Sequence, residues 1–301
     1  MKGLTEKLKQ WMDEEDIKEQ ESMKNHTTFR VGGPARLFLS IRSKEILSKV
    51  ITCLKAEGQS YFLLGNGSNL LVSDKGYSGV ILYLDKEFSY ITVDENKIAA
   101  GASALLSKIA NKAMEKGLSG LEFAAGIPGT IGGGTVMNAG AYGGELAHVI
   151  CRVEAMDQEG KIHILEKDQL NFGYRNSIFK EKPYIILEVT MELIPGRREK
   201  IFEKMKEYQR ARREKQPLEY PSAGSTFKRP VDNFAGKLIM EAGLRGFQIG
   251  GAKVSEKHCG FVINTGNATA TDITMLMEKV QETVMKKFGI ELEPEVIRLE
   301  E

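Results

Sequence analysis

The residues best placed for chemistry in this chain present backbone rather than side chain. Between Gly120 and Gly144 glycine is far denser than elsewhere, with Gly126, Gly129, Gly132, Gly133, Gly134, Gly140, Gly143 and Gly144 set among small residues. Each glycine adds conformational entropy to the unfolded chain, so such a run persists where the main chain takes φ > 0 or must approach a ligand closely. Consecutive N–H groups stripped of side chains can converge into an anion-binding nest. Pro128 stiffens the run, and Asn138 and Tyr142 offer polar contacts. A flexible linker would favour serine and charge, whereas Ile127, Ile131, Val136 and Met137 are interleaved here. The stretch therefore reads as a packed, anion-facing loop. Gly126, Gly129 and Gly132 are spaced three apart, and no G-x-x-x-x-G-K-[ST] occurs, so neither a Rossmann nor a P-loop fold is indicated.

A second polar loop, Gly65-Asn66-Gly67-Ser68-Asn69, lies between the apolar runs at Tyr61 to Leu64 and Leu70 to Val72. It fits either a hairpin turn, for which Asn-Gly is a strong signal, or a wrap of small donors around a diphosphate. Asn171 to Ser177 carries one arginine, Arg175, in a short break between strands. Arg210, Arg212, Arg213 and Lys215 crowd the end of a charged helix over Glu199 to Lys215, where the helix dipole favours cations. A solvated face accounts for most of these charges, and a minority are candidates for a substrate phosphate. In a terminal strand Ile290 to Leu299, Ile290, Leu292 and Val296 share one face and Glu295, Ile297 and Leu299 the other. Glu295 is then either a carboxyl group among apolar neighbours, a setting that raises its pKa, or a solvated edge residue. A serine hydrolase built on Ser225 would need G-x-S-x-G, and Ala223 and Phe227 occupy both glycine positions.

These residues need a frame. Leu4, Leu8, Trp11 and Met12 recur at helical spacing and predict an amphipathic first helix within residues 1–22. Ser43 caps a helix whose stripe is Ile46, Leu47, Val50, Ile51 and Leu54, ended by Gly58; a second starts from Ser103 and stops at Gly117. Strands are expected over Leu37 to Ile41, Val80 to Leu84, Ile91 to Val93, Lys97 to Ala100, Val149 to Met156, Ile162 to Leu165 and Tyr184 to Ile194. A boundary falls at Pro195-Gly196, beyond which a short helix over Phe234 to Ala242 and a last one from Asp272 to Phe288 are expected. With 301 residues, 42% hydrophobic, 28% charged and a net charge of +1, the chain suits two globular domains and offers no overall basic field for nucleic acid. The amino terminus lacks the apolar core of a signal peptide, and no apolar run is long enough to cross a bilayer, so a cytoplasmic protein without membrane insertion is expected. Cys53, Cys151 and Cys259 have no C-x-x-C spacing, which suggests neither a disulfide framework nor a metal site.

Six ordered motifs then converge. Gly65 to Leu71, Ala125 to Gly133, Asn138 to Gly143, Gly173 to Ser177, Ala223-Gly224-Ser225 and Pro294-Glu295-Val296 resemble those of the UDP-N-acetylenolpyruvoylglucosamine reductases, flavoproteins of peptidoglycan precursor synthesis. The resemblance runs from about Asn25 to the end. It implies an α+β fold: a vanillyl-alcohol-oxidase-type FAD-binding domain over 23–195, in two subdomains of about 23–85 and 86–195, and a carboxyl-terminal α+β substrate-binding domain over 196–301. Non-covalent FAD would lie against Gly65, Asn66, Gly67, Ser68, Asn69 and Leu70 and against Gly126, Pro128, Gly129, Thr130, Ile131, Gly132 and Gly133, with Asn138, Gly140 and Ala141 nearby. In the family's reaction NADPH reduces FAD, and hydride passes to C3 of the enolpyruvyl ether of a UDP-sugar. The motif match gives Arg175 and a protonated Glu295 the enolate-like charge to stabilise, and Ser225 the proton to deliver at C2. Lys215 and Arg229 are implied in substrate binding. The direct passage from Gly173-Tyr174-Arg175 to the strand at Tyr184, and Arg229 in place of an asparagine, resemble the family's shorter subclass, which lacks a tyrosine-bearing insertion. A non-catalytic phospholigand binder would instead be colourless. An oxidase of the same superfamily often tethers its flavin through histidine or cysteine, and none of His26, His148, His163 or Cys151 lies in the glycine motifs.

Overall fold

The computed structural model describes residues 2–300. Its chain divides into two compact units, the first comprising residues 1–18, 37–66 and 80–212, and the second residues 19–36, 67–79 and 213–301.

In the first unit, helix Lys44–Ala56 begins as its sequence dictates, with the extended Ser43 accepting from the Ile46 amide (3.2 Å). Leu47, Val50, Ile51 and Leu54 are buried along it, and Gly58 takes the left-handed φ of +60° that turns the chain back. Strand Tyr61–Leu64 follows and pairs in parallel with Tyr77–Leu84, Tyr61 opposite Val80 and Leu64 opposite Tyr83. A hairpin at Gly65 to Asn69 would pair Tyr61–Leu64 with the next strand, Leu70–Val72, but that strand pairs with Ile297–Leu299 instead, so of the two readings of the loop the hairpin is excluded. A five-stranded antiparallel sheet runs Ile162–Glu166, Ile150–Met156, Ile185–Glu192, Lys97–Gly101, Ile91–Asp94. Helix Leu106–Glu115 contributes Leu106, Ile109, Ala110 and Ala113 to the same core. It starts three residues later than expected, because the Ser103 hydroxyl donates to the Leu84 carbonyl (2.5 Å) rather than capping. The first helix is likewise shorter than its periodicity: Lys2–Leu8 is helical, Leu4, Leu8 and Met12 are buried, and Ile17–Ser22 is a strand.

The second unit has its own core, in which Leu276, Val280 and Val284 of helix Ala270–Phe288 are fully buried. Thr269 and Asp272 form a capping box at its start, and Gly289, at φ +66°, ends it. Asp74 reinforces that start, its carboxylate accepting from the amides of Ala270 and Thr271 (2.8 Å each). Burial raises the Asp74 pKa, but the hydrogen bonds from Thr271 and Ala270 outweigh it and hold the carboxyl below its ordinary range. Strands Gln248–Ile249, Ala252–Val254 and Val262–Asn264 form an antiparallel sheet, and Leu70–Val72 pairs in parallel with Ile297–Leu299.

Two expectations are revised here. The terminal strand does not extend over Ile290 to Leu299: only Ile297–Leu299 is strand. Pro294 has no N–H to give a ladder, and the flanking groups bond elsewhere, the Lys228 amide to the Glu293 carbonyl (2.8 Å) and the Glu295 amide to Thr226 (2.9 Å). Leu292, Val296 and Leu299 are consequently buried while Ile297 is 37% exposed, which breaks the expected grouping of Ile297 with Leu299. The units also differ from a division at Pro195-Gly196. Leu71, Phe29 and Val31 join the carboxyl-terminal core, whereas Ile201 and Met205 of helix Arg198–Lys215 join the first. Strand pairing and burial fix these memberships over distances in sequence that no local pattern spans. Among the described residues no helix is long and apolar enough to cross a membrane.

Candidate active site

In the first unit the two glycine loops are tied together. Asn66 Nδ2 donates to the Pro128 carbonyl (2.8 Å), and a Cβ on Gly65 would stand 3.0 Å from Thr130 Oγ1. Thr130 caps helix Ile131–Val136, accepting from the Gly133 amide (3.2 Å). The next amides turn inward: Ile131 donates to Ala104 (2.8 Å) and Gly132 to Ala102 (2.9 Å). Gly132 is required for packing, since a Cβ there would lie 2.9 Å from the Ala102 carbonyl oxygen. The anion nest expected along the run is therefore narrower, because the Ile131 and Gly132 amides are already engaged by protein. Gly126, Pro128 and Gly133 remain exposed. A surface of exposed glycines held at fixed separation from a second polar loop fits the diphosphate of a dinucleotide such as FAD.

Arg175 stands at the tip of a two-residue turn closed by reciprocal hydrogen bonds between Gly173 and Asn176 (3.1 Å each). Its φ is +54°, a left-handed conformation that L-residues other than glycine, asparagine and aspartate seldom adopt. Three contacts with the glycine run hold the turn: Asn138 Nδ2 donates to the Gly173 carbonyl (3.1 Å), Ser177 Oγ to Val136 (2.8 Å) and Arg175 Nη2 to Gly140 (3.3 Å). Asn138 is itself left-handed and only 1% exposed, and its Oδ1 accepts from the Ala147 amide (2.9 Å). The side-chain amide expected to face the cofactor is thus committed at both ends to protein. Asn138→Ala removes both bonds; the exposed Gly173 carbonyl still accepts from the Asn176 amide, but the half-buried Ala147 amide loses its acceptor, at a cost of about 1–3 kcal/mol. A lowered melting temperature is the expected result, and Asn138→Asp, which keeps the acceptor but loses the donor, should fall between the two.

In the second unit Ser225 and Glu295 share a small framework. Gly224, at φ +78°, turns the chain into Ser225, which is exposed between the buried Ala223 and Thr226. Thr226 is the anchor: its amide donates to Gly260 (2.8 Å), its Oγ1 accepts from the Val262 amide (2.9 Å), and its carbonyl accepts from the Glu295 amide (2.9 Å). The Glu295 carbonyl in turn accepts from Asn69 Nδ2 (3.0 Å), and Phe227 bridges Pro294. Gly67, which is left-handed at +60°, admits no side chain, since a Cβ would lie 1.9 Å from the His26 carbonyl oxygen. Lys215 is exposed at the last residue of helix Arg198–Lys215. Arg229 is exposed too, its guanidinium 4.1 Å from the Phe234 ring centroid and its Nε donating to the Asn233 carbonyl (3.3 Å). Of the residues with no expected site role, Ser177, fully buried and bonded to the Val136 carbonyl, stands out; its place in the Gly173 to Ser177 motif was the signal available.

Comparison with known proteins fits this arrangement. A family model described as FAD binding domain matches residues 35–166, and one described as UDP-N-acetylenolpyruvoylglucosamine reductase, C-terminal domain, matches residues 216–299. The chain is 50% identical over 293 residues to the UDP-N-acetylenolpyruvoylglucosamine reductase of Caldanaerobacter subterraneus subsp. tengcongensis, covering 97% of each chain. It is 49% identical to that of Agathobacter rectalis, covering 98% of this chain and 96% of the relative. The crystal structure of the Thermus caldophilus enzyme superposes with a TM-score of 0.82 at 37% identity, over 94% of this chain and 99% of that one. Full-length identity at this level, with both matched regions in the same order, shows that the chain belongs to the UDP-N-acetylenolpyruvoylglucosamine reductase family of FAD-dependent oxidoreductases.

Proposed function

We propose that the chain reduces the enolpyruvyl ether of a UDP-sugar to the corresponding lactyl ether, with NADPH as electron donor and Arg175, Ser225 and Glu295 as the catalytic groups. The observation that carries this reading is Arg175 itself. A large cationic residue kept in the left-handed region, on a turn tied three times to the glycine run, is costly to the fold and useful where a charge must be fixed in advance. Bound FAD supplies a two-electron carrier between NADPH and C3 of the enolpyruvyl group. Gly65 and Asn66, with Gly126, Pro128, Gly129, Thr130 and Gly133, hold its diphosphate; Gly67, Ser68, Asn69 and Leu70 continue the same loop.

As hydride arrives at C3, negative charge grows at C2 and on the substrate carboxylate. The planar Arg175 fork matches that carboxylate, and Glu295 donates a hydrogen bond to the same charge from its carboxyl group. Ser225 delivers a proton to C2; a hydroxyl is a weak acid, but the carbanion-like centre is a strong base. Lys215 and Arg229 meet the rest of the substrate. The test is anaerobic reduction by NADPH followed by reoxidation with UDP-N-acetylglucosamine enolpyruvate, which examines cofactor, donor and acceptor in sequence. Reoxidation only by oxygen would move the chain to the oxidases. The purified protein is expected to be yellow and, on denaturation, to release FAD with no flavin left on the chain. Release of FMN would remove the diphosphate from the glycine loops.

A further inference from the structure

Helix Lys44–Ala56 carries, beside the apolar stripe it buries, a second stripe that meets the hairpin of strands Ile150–Met156 and Ile162–Glu166. Lys44 Nζ lies 2.5 Å from Glu154 Oε1, Ser48 Oγ donates to the Gly160 carbonyl (3.5 Å), and Lys55 pairs with Glu159. At about 100° per residue, positions 44, 48 and 55 fall on one face and span about 16 Å of helix. The hairpin tip is braced from within: Asp157 Oδ1 accepts from the Glu159 and Lys161 amides (2.9 Å each), and Oδ2 lies 2.6 Å from His163 Nε2. Gly160 packs closely on the helix, since a Cβ there would stand 2.2 Å from Ser48 Oγ and 3.2 Å from Ser48 Cβ. Both ends of the Lys44–Glu154 pair are locally unfavourable. Lys44 is the first residue of its helix, where the dipole disfavours a cation. Glu154 stands directly opposite Glu188 across the ladder, a like-charge pairing that weakens a sheet. Glu188 is met by the Tyr90 hydroxyl and, at 3.9 Å, by Arg152, and Lys44 meets Glu154. Two residues that each break a local rule, and satisfy one another, point to a role in joining the parts they belong to.

Each of those parts carries one of the glycine loops. The chain leaves the helix through Gly58 and strand Tyr61–Leu64 and enters Gly65-Asn66. On the other side the Gly132 amide donates to Ala102 and the Ala102 amide to Leu187 (2.9 Å each), in the strand that pairs with that of Glu154. We infer that the Lys44–Glu154 and Lys55–Glu159 pairs are a latch that sets the gap between the two glycine loops and so governs the escape of bound FAD. The competing explanation is that the shared apolar core alone sets the gap, the ion pairs being solvated and worth little. Lys44 and Glu154 are more enclosed than such pairs, their side chains being 31% and 21% exposed. The latch is electrostatic, so its grip weakens as salt rises, and cofactor retention follows ionic strength.

The inference rests on the proposed placement of FAD against the two glycine loops. Release of FAD from the holoprotein is followed by flavin fluorescence after dilution, at low and at high KCl, for wild type, Lys44→Glu, Glu154→Lys and the double variant in which the two charges are exchanged. At low salt each single variant is expected to release FAD roughly 3- to 10-fold faster than wild type, and the double variant to return to within twofold of it. High salt should speed release from wild type more than from Lys44→Met, a neutral variant that keeps an apolar stem. Lys44→Glu suits the helix dipole, so faster release from it does not reflect a weakened helix. Single variants within twofold of wild type, losses that add in the double variant instead of cancelling, or a lower melting temperature with release unchanged would overturn the latch. Lys44→Met serves the same comparison should a reversed charge prevent folding. Wild-type protein that carries FMN, or no flavin, would instead refute the proposed cofactor placement, so the two failures are distinguishable.

Discussion

Ser225→Ala is expected to fold, retain FAD and accept electrons from NADPH as the wild type does, while reoxidation by the enolpyruvyl substrate slows by roughly 10²- to 10⁴-fold, the usual worth of a positioned general acid. The separation follows from how the segment is held. Thr226, not Ser225, makes the anchoring bonds to Gly260, Val262 and Glu295, and Gly224 provides the left-handed turn. The exposed Ser225 hydroxyl can therefore be deleted without disturbing the framework. Ser225→Cys should keep more activity than alanine, because a thiol also carries a transferable proton, although its bulk shifts the donor. Stopped-flow reoxidation of the pre-reduced variant, beside a thermal melt, decides the matter. Near-normal reoxidation in a folded, flavin-loaded protein would take the proton donor away from Ser225. A fall in melting temperature with the rate preserved would assign the hydroxyl to the turn.

Arg175→Lys should impair reoxidation far more than reduction by NADPH. Lysine keeps one positive charge but loses the planar fork, and removing a donor aimed at developing negative charge typically costs roughly 10²- to 10³-fold. The substitution keeps the left-handed strain at φ +54°, so a stability change reflects lost side-chain contacts, among them the bond from Nη2 to Gly140 and the contact over the Tyr174 ring (5.2 Å to centroid). Substrate carboxylate recognition is expected to suffer as well, raising the half-saturating substrate concentration. Equal losses in both half-reactions would place Arg175 in flavin binding or folding rather than in substrate chemistry.

The sequence alone determined whatever depends on neighbours along the chain. Helices Lys44–Ala56 and Ala270–Phe288 were legible because their caps, apolar stripes and terminal glycines are local: Ser43 caps one, Thr269 with Asp272 the other, and Gly58 and Gly289 turn the chain out of them. The glycine run announced a loop of special backbone, and the motifs around Arg175, Ser225 and Glu295 carried a family pattern. Only the tertiary structure decided what those features touch. Gly65 to Asn69 fits a hairpin or a ligand loop until the strand that follows it, Leu70–Val72, is seen to pair with Ile297–Leu299 and not with Tyr61–Leu64. The last strand shrinks to Ile297–Leu299 because Thr226 and Lys228, some seventy residues upstream, take the Glu295 amide and the Glu293 carbonyl. Asn138 looks like a cofactor contact in sequence, yet its amide joins Gly173 to Ala147, and Arg212 looks like one charge among many until it lies on Gly126. Capping and periodicity are written within a few residues of one another, whereas a hydrogen bond or a desolvated charge depends on partners that only folding brings near.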